Sequence, residues 1–327
     1  MTVKVPEFKD VVEAARRLDG VATRTPLLRS IELDRATDAR VFVKPECLQL
    51  TGSFKIRGAF NRLSSLAEKE KQKGVVAFSS GNHGQAVAYA AKRLAISAIV
   101  VMPEDAPKIK IEKTKSHGAE IVFFNREKES REEIAAKIAK ESGRVIVPSF
   151  EDPHIIAGQG TAALEAFVDA SAKEVKFHYY LVCTGGGGLL AGHSLVFRAH
   201  SRSTKLYSVE PEAFDDHARS FKAKKVTSIA ANPVPSICDA ILTPQPGDMT
   251  FAINKTFVTG GLTVTDDEVC HAMRFAFENL KLVTEPGGAV ALAALLAGKI
   301  DARGRNVGLI MSGGNVDASQ FADILKT

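Results

Sequence analysis

One lysine stands between an aromatic ring and a glycine-flanked turn, in Thr51-Gly52-Ser53-Phe54-Lys55-Ile56-Arg57-Gly58-Ala59. Those surroundings suit a dry pocket better than a solvated surface. Burial disfavours the ammonium form, so the amine of Lys55 is expected to be largely neutral and able to condense with an aldehyde. Two further loops supply groups that hold ligands. In Cys183-Thr184-Gly185-Gly186-Gly187-Gly188, the glycines Gly185, Gly186, Gly187 and Gly188 let backbone N–H groups converge with no Cβ in the way. A helix starting near Leu189 adds partial positive charge, and the combination suits a phosphate. In Ser79-Ser80-Gly81-Asn82-His83-Gly84, two hydroxyls, an amide and an imidazole precede a helix, an inventory suited to a carboxylate or an aromatic hydroxyl. Ser80 or Asn82 could equally cap that helix, and His83 reads as a pocket wall rather than a base. Met311-Ser312-Gly313-Gly314-Asn315 could bring the Ser312 hydroxyl to a pyridine nitrogen. An amine for an aldehyde and a cradle for a phosphate together imply pyridoxal 5′-phosphate.

These loops need strands and helices to hold them. Apolar runs at 41–43, 75–78, 98–102, 121–124, 144–147, 179–183, 206–209 and 307–311 read as strands. Helical spacing occupies 10–18, 85–94, 108–116, 131–142 and 160–170, with a further helix from 189. Short strands alternating with helices indicate an α/β protein with twisted, mostly parallel sheets flanked by helices, in two lobes with a cleft between them. Open sheets of this kind bind ligands beyond the carboxyl ends of their strands, where the loops at 79–84, 184–188 and 312–315 fall.

The chain has 327 residues with 45% hydrophobic content, enough for a sizeable core or two lobes. A net charge of +5, interleaved acids and bases and the absence of Trp give no stacking surface for nucleic acid. Cys47, Cys183, Cys238 and Cys270 are scattered, which speaks against a zinc site or a disulfide framework and for a reducing compartment. No apolar run reaches membrane-spanning length, 289–297 coming nearest, and no signal peptide is evident. A cytoplasmic protein is expected, without a membrane or nucleic-acid partner.

In order along the chain, TGSFKIRGAF, SSGNHGQA, AGQGT (157–161), TGGGG, EPGGA (285–289) and SGGN closely resemble the serine/threonine dehydratase and serine racemase family. These are fold-type II pyridoxal-phosphate enzymes, like tryptophan synthase β, and the likeness runs from about residue 20 to the end. The resemblance implies that Lys55 carries the coenzyme as a Schiff base, Phe54 packs on its ring and Asn82 bonds its hydroxyl. It further implies that Gly185, Gly186, Gly187 and Gly188 hold its phosphate and that Ser312 meets its nitrogen. Substrate would lie on Ser79, Ser80, Asn82 and His83. Lys55 would then remove the Cα proton of a β-hydroxy amino acid, the hydroxyl would leave, and a 2-keto acid and ammonia would result. L-Threonine or L-serine is the first expectation.

Three alternatives stand beside it. Arg131 matches a position facing the distal substrate pocket and would suit the second carboxylate of 3-hydroxyaspartate; a surface arginine paired with Glu127 is the plainer reading. Ser80 permits serine racemisation, against which stand Phe78 and Phe150 where racemase-like members tend to carry His and Asn. A non-catalytic pyridoxal-phosphate carrier or amino-acid sensor belongs to another class. Glu210-Pro211-Glu212-Ala213-Phe214-Asp215-Asp216 can offer hard oxygens to Mg2+ or Ca2+; on spacing alone a solvated acidic turn is favoured, and the family likeness selects Glu210, the Phe214 carbonyl and Asp216 as ligands. That likeness also implies a homodimer. The expected division is a large cofactor domain of residues 1–68 and 149–327 and a small domain of residues 69–148 closing over the substrate.

Overall fold

The structure is a computed structural model that describes residues 4–79, 81–106, 108–125 and 128–326. The chain opens with helices α1 (Phe8–Leu18) and α2 (Ile31–Thr37), strand β1 (Arg40–Pro45), then α3 (Lys55–Ser64) and α4 (Glu68–Lys73). A run of alternating units follows: β2 (Val75–Phe78), α5 (Asn82–Arg93), β3 (Ala98–Pro103), α6 (Lys108–Ser116), β4 (Glu120–Phe124), α7 (Arg131–Ser142) and β5 (Val145–Ile146). The long α8 (Pro153–Ser171) leads to β6 (Tyr179–Cys183), α9 (Gly188–His200), β7 (Lys205–Pro211), α10 (Asp216–Ala223), α11 (Asp248–Asn254) and β8 (Gly260–Val264). Finally come α12 (Asp266–Phe275), α13 (Pro286–Leu296), β9 (Asn306–Met311) and α14 (Ala318–Lys326).

Local chemistry explains the boundaries. Ser130 Oγ accepts the Glu133 N–H (3.2 Å) to start α7, and Gly143 at φ 72° stops it. Asp152 Oδ1 accepts the His154 and Ile155 N–H groups (2.8 and 3.0 Å), and Pro153 takes the first helical position of α8. That helix therefore begins seven residues before the expected start at 160. Its first turns are rich in glycine and buried, which blurred the amphipathic pattern. Likewise α5 begins at Asn82 rather than at 85.

Two parallel sheets result, one of five strands in the order β1-β9-β6-β7-β8 and one of four in the order β4-β3-β2-β5. Successive side chains of a strand point to opposite faces. In the larger sheet Val41, Val43, Leu181, Leu309 and Met311 pack towards α12 and α13. Phe42, Tyr180, Val182 and Ile310 on the other face pack towards α8 and α9. In the smaller sheet Val75, Ala77, Val100 and Met102 face α3 and α5, and Val76, Ile99 and Val101 face α7. The apolar stretch near 289–297 is the buried helix α13, and no helix among the described residues is long and apolar enough to cross a membrane.

A buried ion network joins the first part of the chain to α8. Arg57, on α3, forks onto Glu46 (Nε–Oε2 2.7 Å, Nη2–Oε1 2.8 Å) and onto Glu165 of α8 (2.7 and 2.9 Å). Lys44 of β1 bonds Glu165 (2.5 Å) and the Thr25 carbonyl (2.7 Å). Two cations thus neutralise two carboxylates away from water, with Arg57 and Glu46 both 0% exposed. Removing one member strands the others, which typically destabilises by about 3–5 kcal/mol. Arg57→Leu is expected to lower unfolding free energy by that order in urea titration; a change below about 1 kcal/mol would mean the network contributes little.

Candidate active site

Strand β1 delivers the chain to a short irregular segment in which Thr51 and Gly52 both adopt left-handed backbone (φ 60° and 72°). Gly52 is the position where glycine is needed, since its φ is positive and an added Cβ would lie 2.6 Å from Asn315 Oδ1. Ser53 then bridges to Gly313, Phe54 N–H donates to the Ser312 carbonyl (3.1 Å) and Gly314 N–H to the Gly52 carbonyl (2.9 Å). The loop after β1 is thereby stitched to the loop after β9. Lys55 follows as the first residue of α3, so the expected tight turn is a helix start. Its Nζ donates to the Ser149 carbonyl (3.0 Å) and stands 5.1 Å from the Phe54 ring centroid. Burial pulls its pKa down to about 8, while the Glu285 carboxylate works in the opposite direction.

Residues 184–188 connect β6 to α9, with Gly187 at φ 88° capping the helix. A Cβ on Gly186 would collide with the Phe150 ring at 2.3 Å, and one on Gly187 with the His217 ring at 2.6 Å. Behind the loop, Thr250 Oγ1 donates to the Gly186 carbonyl (2.7 Å) and Asn254 Nδ2 to that of Gly187 (3.3 Å). The carbonyls are thus tied from the rear, at the start of a helix whose free N–H groups suit an anion.

After β2, Ser79 Oγ accepts the Gly81 N–H (3.1 Å). Ser80 lies outside the described residues. Asn82 Nδ2 donates to Glu285 Oε1 (2.6 Å) and its Oδ1 accepts from Asn315 Nδ2 (2.7 Å). His83 Nε2 lies 2.9 Å from the Val147 carbonyl, so that nitrogen carries the proton. Burial, with the Lys55 charge adding to it, lowers the pKa of His83 to about 3 and keeps the ring neutral. Ser312, 4% exposed, lies beside the buried Cys183.

Arg131 opens α7. Its Nε pairs with Glu132 Oε1 (2.8 Å), and its guanidinium carbon lies 5.6 Å from the Phe78 ring centroid. The terminal nitrogens have no partner among the described residues. Glu127, the partner considered from sequence, lies outside the described residues.

One cavity of about 190 Å³ is lined by Lys55, Asn82, Arg131, Gly187 and Ser312, with Phe78, Phe150, Ser79 and His83 completing its walls. The structure therefore brings together residues separated by up to 258 positions in the chain (Phe54 and Ser312). Sequence reasoning gave no role to Glu285, Ser149 or Asp239. Glu285 stands before a helix-starting proline in EPGGA, a signal that marks a helix start but not what its carboxylate meets; Ser149 acts through a backbone carbonyl, which no residue type betrays.

Glu210, Phe214 and Asp216 lie outside this cavity lining. Glu210, the penultimate residue of β7, accepts the His217 and Ala218 N–H groups (2.8 and 2.9 Å), capping α10. Burial and the adjacent Asp216 push its pKa well up, and burial raises that of Asp216 to about 7. Both Asp216 oxygens lack a hydrogen-bond partner among the described residues. Glu210 and Asp216 are therefore buried, whereas Glu212 between them is exposed, as a solvated turn would have it. Among the described residues no group of three or more His, Cys, Asp or Glu side chains is placed to hold a metal.

Residues 18–313 match the family model described as "Pyridoxal-phosphate dependent enzyme". The chain is 44% identical to the L-threo-3-hydroxyaspartate ammonia-lyase of Pseudomonas sp over 99% of this chain and 100% of that protein. It is 40% identical to the serine racemase of Schizosaccharomyces pombe, covering 98% of each. The crystal structure of the T.th. threonine deaminase superposes with a TM-score of 0.89 at 41% identity, over 95% of this chain and 99% of that one.

Because the folded pKa of Lys55 lies below its ordinary 10.5, the amine is mainly ammonium below about 8 and neutral above it. The unfolded chain takes up this proton first as pH falls, so the contribution of Lys55 to stability is full above 10.5 and is lost as pH falls through about 8. Coenzyme-free protein mixed with pyridoxal phosphate and trapped with borohydride is expected to label Lys55 at a rate that rises with pH to a plateau with a midpoint near 8. A midpoint near 10.5 would show that the amine is not desolvated.

Proposed function

The chain belongs to the pyridoxal-phosphate-dependent enzyme family, as an ammonia-lyase of the group that includes threonine dehydratases, hydroxyaspartate lyases and serine racemases, and we propose that its substrate is a 3-hydroxyaspartate. The observation that carries this reading is the guanidinium of Arg131 on the wall of the cavity that contains Lys55. Its terminal nitrogens form a fork suited to a carboxylate, as a side-chain acid group would require. The 44% identity to the Pseudomonas L-threo-3-hydroxyaspartate ammonia-lyase supports the same choice. It moves hydroxyaspartate ahead of L-threonine and L-serine.

The residues present fit the coenzyme. A buried amine of lowered pKa and a glycine loop capping a helix line one cavity, together with Phe54 and Ser312. When bound, the coenzyme supplies an electron sink for breaking the Cα–H bond. The chain supplies the rest. Lys55 holds the coenzyme and, once free, takes the Cα proton on Nζ, its neutral form being accessible near pH 8. Asn82 and His83 would offer the start of α5 to the α-carboxylate. Neutral His83 adds no charge there, and Arg131 holds the side-chain carboxylate. Ser312 would offer the coenzyme a hydroxyl, a neutral partner rather than a carboxylate. Net, the amino acid becomes oxaloacetate and ammonia, the water lost in elimination being returned on hydrolysis.

L-Threonine or L-serine remains a second reading, favoured by the apolar walls Phe78 and Phe150. Serine racemisation would rest on Ser80. We assign residues 69–148 as the unit that closes on the substrate, since Phe78, Ser79 and Arg131 all sit on the four-stranded sheet and its helices. Glu210, the Phe214 carbonyl and Asp216 are assigned to a divalent cation, Mg2+ or Ca2+, because two buried carboxylates, with both Asp216 oxygens unsatisfied, call for positive charge. A homodimer completes the reading on family likeness.

With stereoisomers of 3-hydroxyaspartate, L-threonine and L-serine compared, kcat/KM is expected to be highest for L-threo-3-hydroxyaspartate. Arg131→Met should reduce that value about 10–100-fold, the range for a lost charge-assisted pair, with little change for serine. Faster turnover of threonine by the unmodified enzyme would establish the second reading instead. For the cation, chelation is expected to lower Tm and added Mg2+ or Ca2+ to restore it; an unchanged Tm would remove the metal.

A further inference from the structure

Helices α3 and α9 each begin at the cavity, one with Lys55 and the other with Gly188. Between them, on one face of the larger sheet, runs α8, and its Ala157-Gly158-Gln159-Gly160-Thr161 segment touches both. Residues 158 and 160 are two apart, so they point about 200° apart around the helix axis.

On one side Gly158 lies against the backbone of α3. A Cβ there would fall 2.5 Å from the Arg57 carbonyl oxygen and 2.6 Å from Gly58 Cα. Polar pins hold this face in register. Gln159 Oε1 accepts the Gly58 N–H (3.2 Å) in the first turn of α3. Asn61 Nδ2 donates to the His154 carbonyl (2.7 Å), Arg62 pairs with Asp152 (2.9 Å) and Arg57 forks onto Glu165. On the other side Gly160 lies against Gly192 of α9. A Cβ on Gly192 would fall 2.4 Å from the Gly160 nitrogen, and one on Gly160 would fall 3.0 Å from the Gly192 carbonyl oxygen.

We propose that α8 is the spacer that sets the distance between the amine and the phosphate loop, with Gly158, Gln159 and Gly160 as positioning residues for the coenzyme. Pyridoxal phosphate must reach Lys55 and the glycine loop at once. A two-ended ligand gains affinity from simultaneous contact only while the two contacts keep the right separation. Moving one helix start by a fraction of an ångström therefore weakens the two-ended ligand while leaving each end competent by itself. A residue that merely supported folding would weaken all ligands together.

The test uses the full chain freed of coenzyme, as wild type and as Gly158→Ala and Gly160→Ala. Three probes are titrated: pyridoxal, which has the aldehyde alone; inorganic phosphate; and pyridoxal phosphate. Aldehyde binding is read by absorbance and borohydride trapping at Lys55, and phosphate binding by calorimetry. In Gly158→Ala, pyridoxal phosphate affinity is expected to fall about tenfold or more, in keeping with the penalty for a misplacement approaching 1 Å. Pyridoxal and phosphate should stay within about twofold of wild type. Gly160→Ala, whose methyl requires a smaller shift, should show a lesser loss of the same kind and serves where Gly158→Ala does not fold. A coenzyme homologue with one more methylene before its phosphate should lose less affinity in the variants than pyridoxal phosphate does. Unchanged pyridoxal phosphate affinity in the folded variants, or a loss matched by pyridoxal or by phosphate alone, would overturn the proposal.

Discussion

Keeping one amine out of water is the constraint on which the rest of this molecule depends. Lys55 has a backbone carbonyl, that of Ser149, and an aromatic face for company, and burial makes its charged form unfavourable. Such a group is tolerated only if its surroundings cannot relax around it. Two residues further on, Arg57 is locked between Glu46 and Glu165, so the helix that begins with Lys55 is anchored through a fully paired buried guanidinium. Upstream, the backbone of 52–54 is stitched to 312–314. Strain on the amine is thus carried by an ion network on one side and by a short ladder on the other.

Much of this was legible in the chain itself. Strands at 75–78 and 179–183 and the helix at 131–142 appear where their patterns place them, because short continuous apolar runs and well-formed helix caps leave little choice. The α/β class and the family likeness hold for the same reason: the glycine-rich loops follow strand ends, the one place an open parallel sheet leaves for a ligand. Less legible were features whose cause lies across the chain. Lys55 looks like a turn residue because Gly52 and Gly58 flank it, yet Gly58 is a helical residue kept small by Gln159. Glu285 could not be assigned until Asn82 was seen to donate to it from 203 residues away.

The acidic segment at 210–216 shows how one motif can satisfy two demands. Glu210 receives two backbone N–H groups of α10, a cap that favours a negative charge, while burial and Asp216 oppose that charge. Spacing along the chain reports neither influence. His217, next in sequence, places its ring against Gly187, so this acidic turn and the glycine loop share a wall.

The two sheets carry different kinds of residue into the shared cavity. Lys55, the glycine loop and Ser312 hang from the five-stranded sheet, whereas Phe78, Ser79 and Arg131 hang from the four-stranded one. The amine and the glycine loop are consequently encoded in different stretches of chain from Phe78, Ser79 and Arg131. Replacements at Phe78 or Arg131 alter the wall of the cavity while leaving Lys55 and the glycine loop as they are. A pocket built from two sheets can change shape on one side while the other keeps its residues, so the two halves of its lining are free to vary independently.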